Sequence, residues 1–134
     1  MEYKIEARSN IRRKFLSAIM PSMIRQLNLE NSKKVVVVRV ENDCEGMGFT
    51  IPVDCLDGYI VVIKPASLES MAETLAHEMV HVRQMARGLL KSDGKGNHFW
   101  CGKKYSKKTK YLDMPWELDA FSKQEIILRK AIEE

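Results

Sequence analysis

Hydrophobic side chains recur every three or four residues near the beginning of the chain, between residues 11 and 27. This spacing places them on one side of an amphipathic helix, for which Asn10 is the predicted N-cap. Pro21 interrupts the pattern. We expect it to kink the helix or divide it in two, because proline lacks a backbone donor and clashes with the preceding turn.

A second helical pattern follows Ser67, a residue type that favours the N-cap position. Its apolar residues again share one face. We expect this helix to run from Leu68 to about Arg87 or Leu89, where a glycine lies near the predicted end. A third helix is predicted to begin at Pro115, because proline is well tolerated at a first helical position.

Three runs between the first two helical patterns favour strands. Val35–Val40 is rich in β-branched residues, and Tyr59–Lys64 is a second apolar run. Phe49–Val53 is predicted as an edge strand, because Pro52 cannot donate a hydrogen bond within a sheet. Residues 1–8 predict either a short strand or a loose end. Together these runs predict a small mixed or antiparallel sheet and an α+β fold.

Residues 91–114 show no sustained periodicity, so we expect an irregular segment. Phe99 and Trp100 indicate that part of it packs against the rest of the chain. The segment Lys103–Lys110 is dense in lysine and includes a tyrosine. Such a segment either contacts phosphates and bases or is an ordinary solvated loop.

Composition and charge narrow the function classes. The chain has 134 residues, of which 45% are hydrophobic and 30% are charged, so we expect a single domain spanning residues 1–134. The formal net charge of +4 is mildly basic and does not by itself imply a nucleic-acid partner. No apolar run is long enough for a membrane span or a signal peptide. Cys44, Cys55 and Cys101 have no metal-type or disulfide-type spacing, which favours a reducing cytoplasm.

The second helical pattern contains His77-Glu78-Met79-Val80-His81, which is a His-Glu-x-x-His motif. Residues four apart lie on the same face of a helix, so the two imidazoles can share one zinc ion. Glu78 would then face the water on that ion and take its proton. Glu73 and Gln84 belong to the same face, where they either orient a ligand or are ordinary polar residues.

A catalytic zinc site needs at least one more protein ligand and an open position for water. Downstream of the motif the candidates are His98, Cys101, Glu117 and Asp119. Glu117 and Asp119 are two residues apart on a predicted helix, so they cannot both face the metal. The spacing alone leaves the third ligand open.

The segment His77–Gln84, followed later by Pro115–Ala120, resembles the gluzincin metallopeptidases. More narrowly, the chain is similar to small metallopeptidases encoded in bacteriophage and bacterial genomes. The segment Trp100–Tyr105 looks like the tryptophan-glycine-lysine-tyrosine segment of that group. The resemblance covers roughly residues 67–121. It implies a zincin-like domain in which an N-terminal helix and a small sheet precede the His-Glu-x-x-His helix, and the C-terminal helix carries the third ligand.

In gluzincins the third ligand is a glutamate on a second helix, often two residues before an acidic residue that is followed by alanine. The resemblance therefore implies Glu117 as the ligand and leaves Asp119 outside the metal site. Many gluzincins carry a carboxylate four residues after the ligand, but this chain has Phe121 there. The neighbouring SprT-like proteases use a third histidine after a glycine-rich loop. The matching position here is Lys95, and His98 is displaced from it.

These features predict a zinc metalloendopeptidase with Zn²⁺ as cofactor and a peptide or protein as substrate. Glu78 is the predicted general base, and His77, His81 and Glu117 are the predicted ligands. The oxyanion of the reaction needs a further donor, for which the sequence offers Tyr105, Tyr111 and His98. An edge strand beside the central helix would bind the substrate in extended form.

Two other functions fit the same sequence. The first is a zincin-fold binding protein with structural zinc and no cleavage. The second is nucleic-acid association through Lys103–Lys110. In either case we expect no membrane partner and a cytoplasmic location, which would be the host cytoplasm for a phage-encoded chain. The oligomeric state stays open.

Overall fold

A computed structural model describes residues 1–134 and has an α+β architecture. It contains three helices, a four-stranded sheet and a separate three-stranded sheet. The predicted α+β class is therefore confirmed. None of the three helices combines the length with the apolar content that a membrane crossing requires.

The larger sheet is mixed, as predicted. Its strands are β1 (Glu2–Glu6), β2 (Val35–Val40), β3 (Gly48–Val53) and β4 (Gly58–Ile63), in the spatial order β1-β2-β4-β3. β1 and β2 are parallel, as are β2 and β4, whereas β3 runs antiparallel to β4. β3 therefore lies at an edge, as Pro52 predicted, because an edge position tolerates the missing N–H.

The helices are α1 (Asn10–Gln26), α2 (Leu68–Ala86) and α3 (Pro115–Glu133). The predicted bounds of α2 and the predicted beginning of α3 are confirmed. The Ser67 hydroxyl accepts a hydrogen bond from the Ser70 backbone N–H at 3.2 Å, so it caps α2 as expected. At α1 the N-cap is Ser9 and not Asn10, because the Ser9 hydroxyl accepts from the Arg12 backbone N–H at 3.2 Å.

Pro21 does not divide α1, which runs unbroken across it. Proline cannot donate to the carbonyl of Ser17, four residues earlier. The Tyr3 hydroxyl, which comes from β1, donates to that carbonyl at 3.2 Å. Of the two outcomes expected at Pro21, division of the helix is therefore wrong, and a side chain from the neighbouring strand replaces the lost backbone donor.

The prediction of an irregular segment over residues 91–114 was wrong in its first part. Three strands, β5 (Leu90–Ser92), β6 (His98–Trp100) and β7 (Lys103–Tyr105), form an antiparallel sheet there. Each strand has only three residues, which is too short to display a clear alternation of apolar and polar positions. Two tight turns with glycines at positive φ, among them Gly94 and Gly102, connect the strands.

The core lies between one face of the larger sheet and the helices. Leu75 and Met79 of α2 are fully buried there, as is Met20 of α1. β3 comes very close to α2 at Gly48, where a Cβ would lie 2.7 Å from Thr74 Cγ2 and 2.8 Å from the Val62 carbonyl oxygen. This close approach brings the edge strand beside the histidine-bearing turn of α2.

The contact between Tyr3 and Ser17 can be tested by a double-mutant cycle. We expect Tyr3→Phe to lower the free energy of unfolding by about 1 kcal/mol, because it removes the donor of a partly buried carbonyl. In a Pro21→Ala background the backbone N–H of residue 21 returns, so the same change should cost much less. Urea denaturation of the four proteins measures this coupling. An equal cost in both backgrounds would contradict it.

Candidate metal centre

Three ligand-type atoms from two helices meet at one point. His77 and His81 lie one turn apart on α2, with their ring centroids 4.9 Å apart. Glu117, in the first turn of α3, reaches across so that its Oε1 lies 2.8 Å from His77 Nε2 and 3.0 Å from His81 Nε2. All three side chains are largely buried. The structure therefore brings together the three residues that the sequence predicted as ligands.

Two glutamine amides hold the other nitrogens of the rings. His77 Nδ1 lies 2.7 Å from Gln124 Oε1, and His81 Nδ1 lies 2.8 Å from Gln84 Oε1. An amide oxygen only accepts, so each Nδ1 carries the proton of its bond. The Nε2 atom of each neutral ring therefore presents a lone pair toward Glu117.

The orientation of both amides is fixed by a second set of partners. Gln84 Nε2 donates to the Trp116 carbonyl at 2.9 Å and to Asp119 Oδ2 at 2.8 Å. Gln124 Nε2 donates to Glu73 Oε1 at 3.0 Å. A flipped amide would face these acceptors with its oxygen, which is unfavourable. The assignment of both Nδ1 protons follows from this network.

With both Nδ1 atoms protonated, three electron pairs converge on one point, from the two Nε2 atoms and Glu117 Oε1. Such an arrangement is stable only with a positive charge between them, either added protons or a cation. The ligand-type atoms of His77, Glu78 and His81 also lie within 4.8 Å of one another, a grouping that could hold a metal ion. Imidazole nitrogen and carboxylate oxygen are the donors that Zn²⁺ accepts, so the residues present fit a zinc ion.

The pKa shifts of the metal-free site agree with this geometry. Burial lowers the pKa of His77, but hydrogen bonds to Glu117 and Gln124 outweigh it and raise that pKa above 6.5. For His81 burial is likewise opposed and outweighed by the Glu117 carboxylate, so its pKa is also raised. Burial alone would raise the pKa of Glu117, yet hydrogen bonds from the two histidines lower it to about 2. These shifts favour a proton between the imidazoles and the carboxylate when no metal is bound.

Glu78 lies beside this point but has a different partner. Its carboxylate Oε1 accepts a hydrogen bond from the Thr50 hydroxyl of β3 at 2.8 Å. Burial raises the pKa of Glu78, while the two histidines and Thr50 oppose that rise. Its carboxyl therefore holds a proton more readily than an ordinary glutamate does.

The remaining candidate ligands lie elsewhere. Asp119 accepts from Gln84 Nε2 at 2.8 Å and from Lys123 Nζ at 2.7 Å, so it buttresses the amide and not the imidazoles. His98 packs on the ring of Trp116 with centroids 5.0 Å apart. Cys101 is exposed in a turn, and all three cysteines are free thiols.

Among the candidate oxyanion donors, only Tyr111 reaches the three converging atoms. Its hydroxyl donates to Glu117 Oε1 at 3.3 Å, and burial beside the Glu117 charge raises the pKa of Tyr111 to about 12. Its phenol is therefore protonated and able to donate at neutral pH. Tyr105 packs edge-on against Trp116 instead, with ring centroids 5.5 Å apart.

Two residues of the site were not found from the sequence. Thr50 contacts Glu78 across the strand–helix boundary, and no local pattern signals that pairing. Gln124 lies seven residues after Glu117, which is two turns along the same face of α3 and could have indicated it. At position 121, where many gluzincins have a carboxylate, the Phe121 ring packs against His77 with centroids 4.7 Å apart. Gln124 makes the hydrogen bond to His77 Nδ1 in its place.

Two hollows meet at His77 and Glu78. One has a volume of about 400 Å³ and is bordered by Met47, Tyr111 and Phe121. The other has a volume of about 230 Å³ and extends past Glu117 toward β6. The second hollow is bordered by His77, His81 and Glu117, so the point where the three ligand-type atoms converge is accessible from it.

No protein-family model matches the chain, and neither curated proteins nor solved structures include a match to it.

The pKa shifts predict how the stability of the metal-free protein depends on pH. The raised pKa values of His77 and His81 stabilise the folded protein. This stabilisation is complete below about pH 6.5 and is lost as pH rises through the pKa values that the two histidines have in the folded state. The lowered pKa of Glu117 gives a second stabilisation, which is complete above about pH 4.5 and is lost as pH falls toward 2. Unfolding in EDTA should therefore show maximal stability between about pH 4.5 and 6.5.

Glu117→Gln provides the matched control for this profile, because it keeps the side-chain size and removes the charge that raises both histidine pKa values. Its stability should change much less between pH 6.5 and 8.5 than that of the wild type. A wild-type protein whose free energy of unfolding in EDTA rises over that interval would contradict the assigned hydrogen bonds.

Proposed function

We propose that the chain is a zinc-dependent metallopeptidase with a zincin-like fold, in which His77, His81 and Glu117 hold the metal. The observation that carries this proposal is the convergence of two Nε2 lone pairs and one carboxylate oxygen, with both Nδ1 protons held outward by amides. Neutral imidazoles in this tautomer are the form that ligates zinc, and their outward hydrogen bonds fix the orientation of the rings.

The two buried glutamates, Glu78 and Glu117, have different proposed roles. Glu117 shares Oε1 with both imidazoles, which supports a ligand role. Glu78 is turned toward Thr50, which leaves it beside the metal position and not in it. A bound zinc ion would lower the pKa of a water molecule and polarise a substrate carbonyl.

Glu78 is the proposed general base and acid. Its carboxylate would accept a proton from the attacking water and later give it to the nitrogen of the leaving amine. Thr50 donates to Oε1 and so leaves the lone pairs of the second carboxylate oxygen free for the water. The raised pKa of Glu78 makes its carboxylate a stronger proton acceptor than that of an ordinary glutamate, which supports the role of base.

Tyr111 is the proposed donor to the oxyanion. It is half-exposed at the rim of the two hollows, with its hydroxyl near Glu117 and its ring near Phe121, where the centroids are 6.1 Å apart. A protonated phenol in that position can donate to the negative oxygen that forms when a peptide carbonyl is attacked.

A peptide is the proposed substrate because the edge strand β3 borders the site. The Lys64 N–H donates to the Met47 carbonyl at 2.9 Å, which sets the phase of the β3–β4 ladder. In that phase the backbone groups of Gly48, Thr50 and Pro52 point away from β4. Gly48 and Thr50 can therefore pair with an extended peptide, whereas Pro52 has no N–H to offer. Strand addition is thus limited to a short stretch next to Glu78.

The direct test of the proposed activity is Glu78→Gln. We expect the variant to keep one zinc per chain, because the three ligands are intact, and to lose at least about 1,000-fold in kcat/KM. Cleavage of a broad peptide library, followed by mass spectrometry, measures activity, and elemental analysis measures zinc. Glu69→Gln is the matched control, because this glutamate is exposed in the first turn of α2, two turns before His77.

Two results would contradict the proposal. A zinc-loaded wild-type protein that leaves every peptide of the library intact would remove the peptidase function. A Glu78→Gln protein that cleaves as fast as the wild type would remove Glu78 from the reaction.

The role of Tyr111 has its own test. Tyr111→Phe should lower kcat on the order of 100-fold with little change in KM, because the lost donor acts only when the oxyanion forms. Tyr105→Phe is the control, since that ring packs on Trp116 away from the converging atoms. Equal kcat values for the two variants would exclude Tyr111 as the oxyanion donor.

A further inference from the structure

The positive charge of the chain is concentrated in one segment. Residues 91–110 hold seven of the 22 basic residues and one of the 18 acidic residues. The rest of the chain holds the other 15 basic and 17 acidic residues, so it is slightly negative. The net charge of +4 therefore originates in the small sheet of β5, β6 and β7 and the loop after it.

The lysines of this segment have no ion-pair partner within the chain, although the charge of Lys104 helps to lower the pKa of Asp93. All seven are exposed, and none of them forms an ion pair. The only carboxylate nearby, Asp93, accepts from the Lys95 N–H at 2.7 Å and from Asn97 Nδ2 at 2.8 Å within the hairpin turn. Hydrogen bonding to Asn97 lowers the pKa of Asp93, and the carboxylate stays committed to the turn. In the rest of the chain six basic side chains form ion pairs, whereas in this segment none does.

The strand register divides these lysines between two faces. Lys91 of β5, Phe99 of β6 and Lys104 of β7 lie directly opposite one another, so their side chains share one face. The other face holds His98 and Tyr105, which pack against Trp116. The first face is therefore the outer one, and a half-buried aromatic ring lies there between two lysines at the usual strand spacing of about 4.8 Å.

One further lysine lies beside the turn between β5 and β6. Lys107 lies against the hairpin turn, since a Cβ at Gly96 would be 3.2 Å from Lys107 Cβ. Lys103 does not belong to the outer face, because its ammonium lies 5.2 Å above the ring of Tyr105, a residue of the inner face. The surface is thus defined by the sheet and differs from the continuous run Lys103–Lys110.

We propose that Lys91, Phe99, Lys104 and Lys107, here called the basic face, bind a single strand of nucleic acid. The lysines would neutralise successive phosphates, and the ring of Phe99 would stack on a base. An acidic protein would need the charge alone, whereas an aromatic ring between two lysines matches the alternation of base and phosphate. The basic face lies opposite the hollows at His77, so this function depends on neither zinc nor cleavage.

The test compares two triple variants of the full chain that lose the same charge. The first is Lys91→Gln with Lys104→Gln and Lys107→Gln. The control is Lys14→Gln with Lys33→Gln and Lys130→Gln, which are exposed lysines outside the segment and without ion pairs. Fluorescence anisotropy with a labelled 20-nucleotide DNA strand gives the dissociation constant at 50 and 200 mM salt. Circular dichroism checks that both variants are folded.

We expect the first variant to bind DNA at least tenfold more weakly at 50 mM salt. The slope of the logarithm of the binding constant against the logarithm of the salt concentration should become shallower by about 2, because three phosphate contacts are lost. The control should stay within about twofold of the wild type. Phe99→Leu should weaken DNA binding several-fold and leave heparin binding unchanged. Equal losses of DNA affinity in the two triple variants would overturn the proposal, because binding would then depend on the overall charge of the chain and not on the basic face. Equal effects of Phe99→Leu on DNA and heparin would overturn base stacking.

Discussion

Two hydrogen bonds, each from an imidazole Nδ1 atom to a glutamine oxygen, fix the orientation of the histidine rings on which the proposed metal site depends. They hold His77 and His81 in the tautomer whose Nε2 lone pairs face Glu117, so a buried point is left that requires positive charge. Neither amide can rotate without losing its own acceptors. The raised histidine pKa values mean that this point favours protons in the metal-free protein, so a divalent cation would compete with them.

The packing of α2, α3 and β3 holds this arrangement in place. α2 is buried between the larger sheet and α3, so its histidines have little freedom to turn away. α3 supplies both the shared carboxylate and one of the two amides, while α2 supplies the other. β3 can approach α2 only because Gly48 has no side chain, and this approach brings Thr50 within reach of Glu78. The edge strand, Glu78 and the proposed metal position are therefore held by one set of contacts.

Sequence patterns predicted the parts of this structure that depend on local spacing. The turn that pairs His77 with His81, the Ser67 cap and the proline at the beginning of α3 are all of this kind. Glu117 was favoured over Asp119 only by a resemblance, since helical spacing left both possible. Contacts between distant parts of the chain, such as Thr50 with Glu78, leave no periodic signal. β5, β6 and β7 were missed for a different reason, because three residues each are too few to show alternation.

Zinc titration of the EDTA-stripped protein, in competition with a chromophoric chelator, tests the central claim most directly. The wild type and His98→Ala should each bind one zinc ion with the same dissociation constant, because His98 packs on Trp116. Glu117→Ala should bind zinc roughly 100-fold more weakly or worse, since it removes the oxygen shared by both imidazoles. Unchanged affinity in Glu117→Ala, or a comparable loss in His98→Ala, would contradict the account.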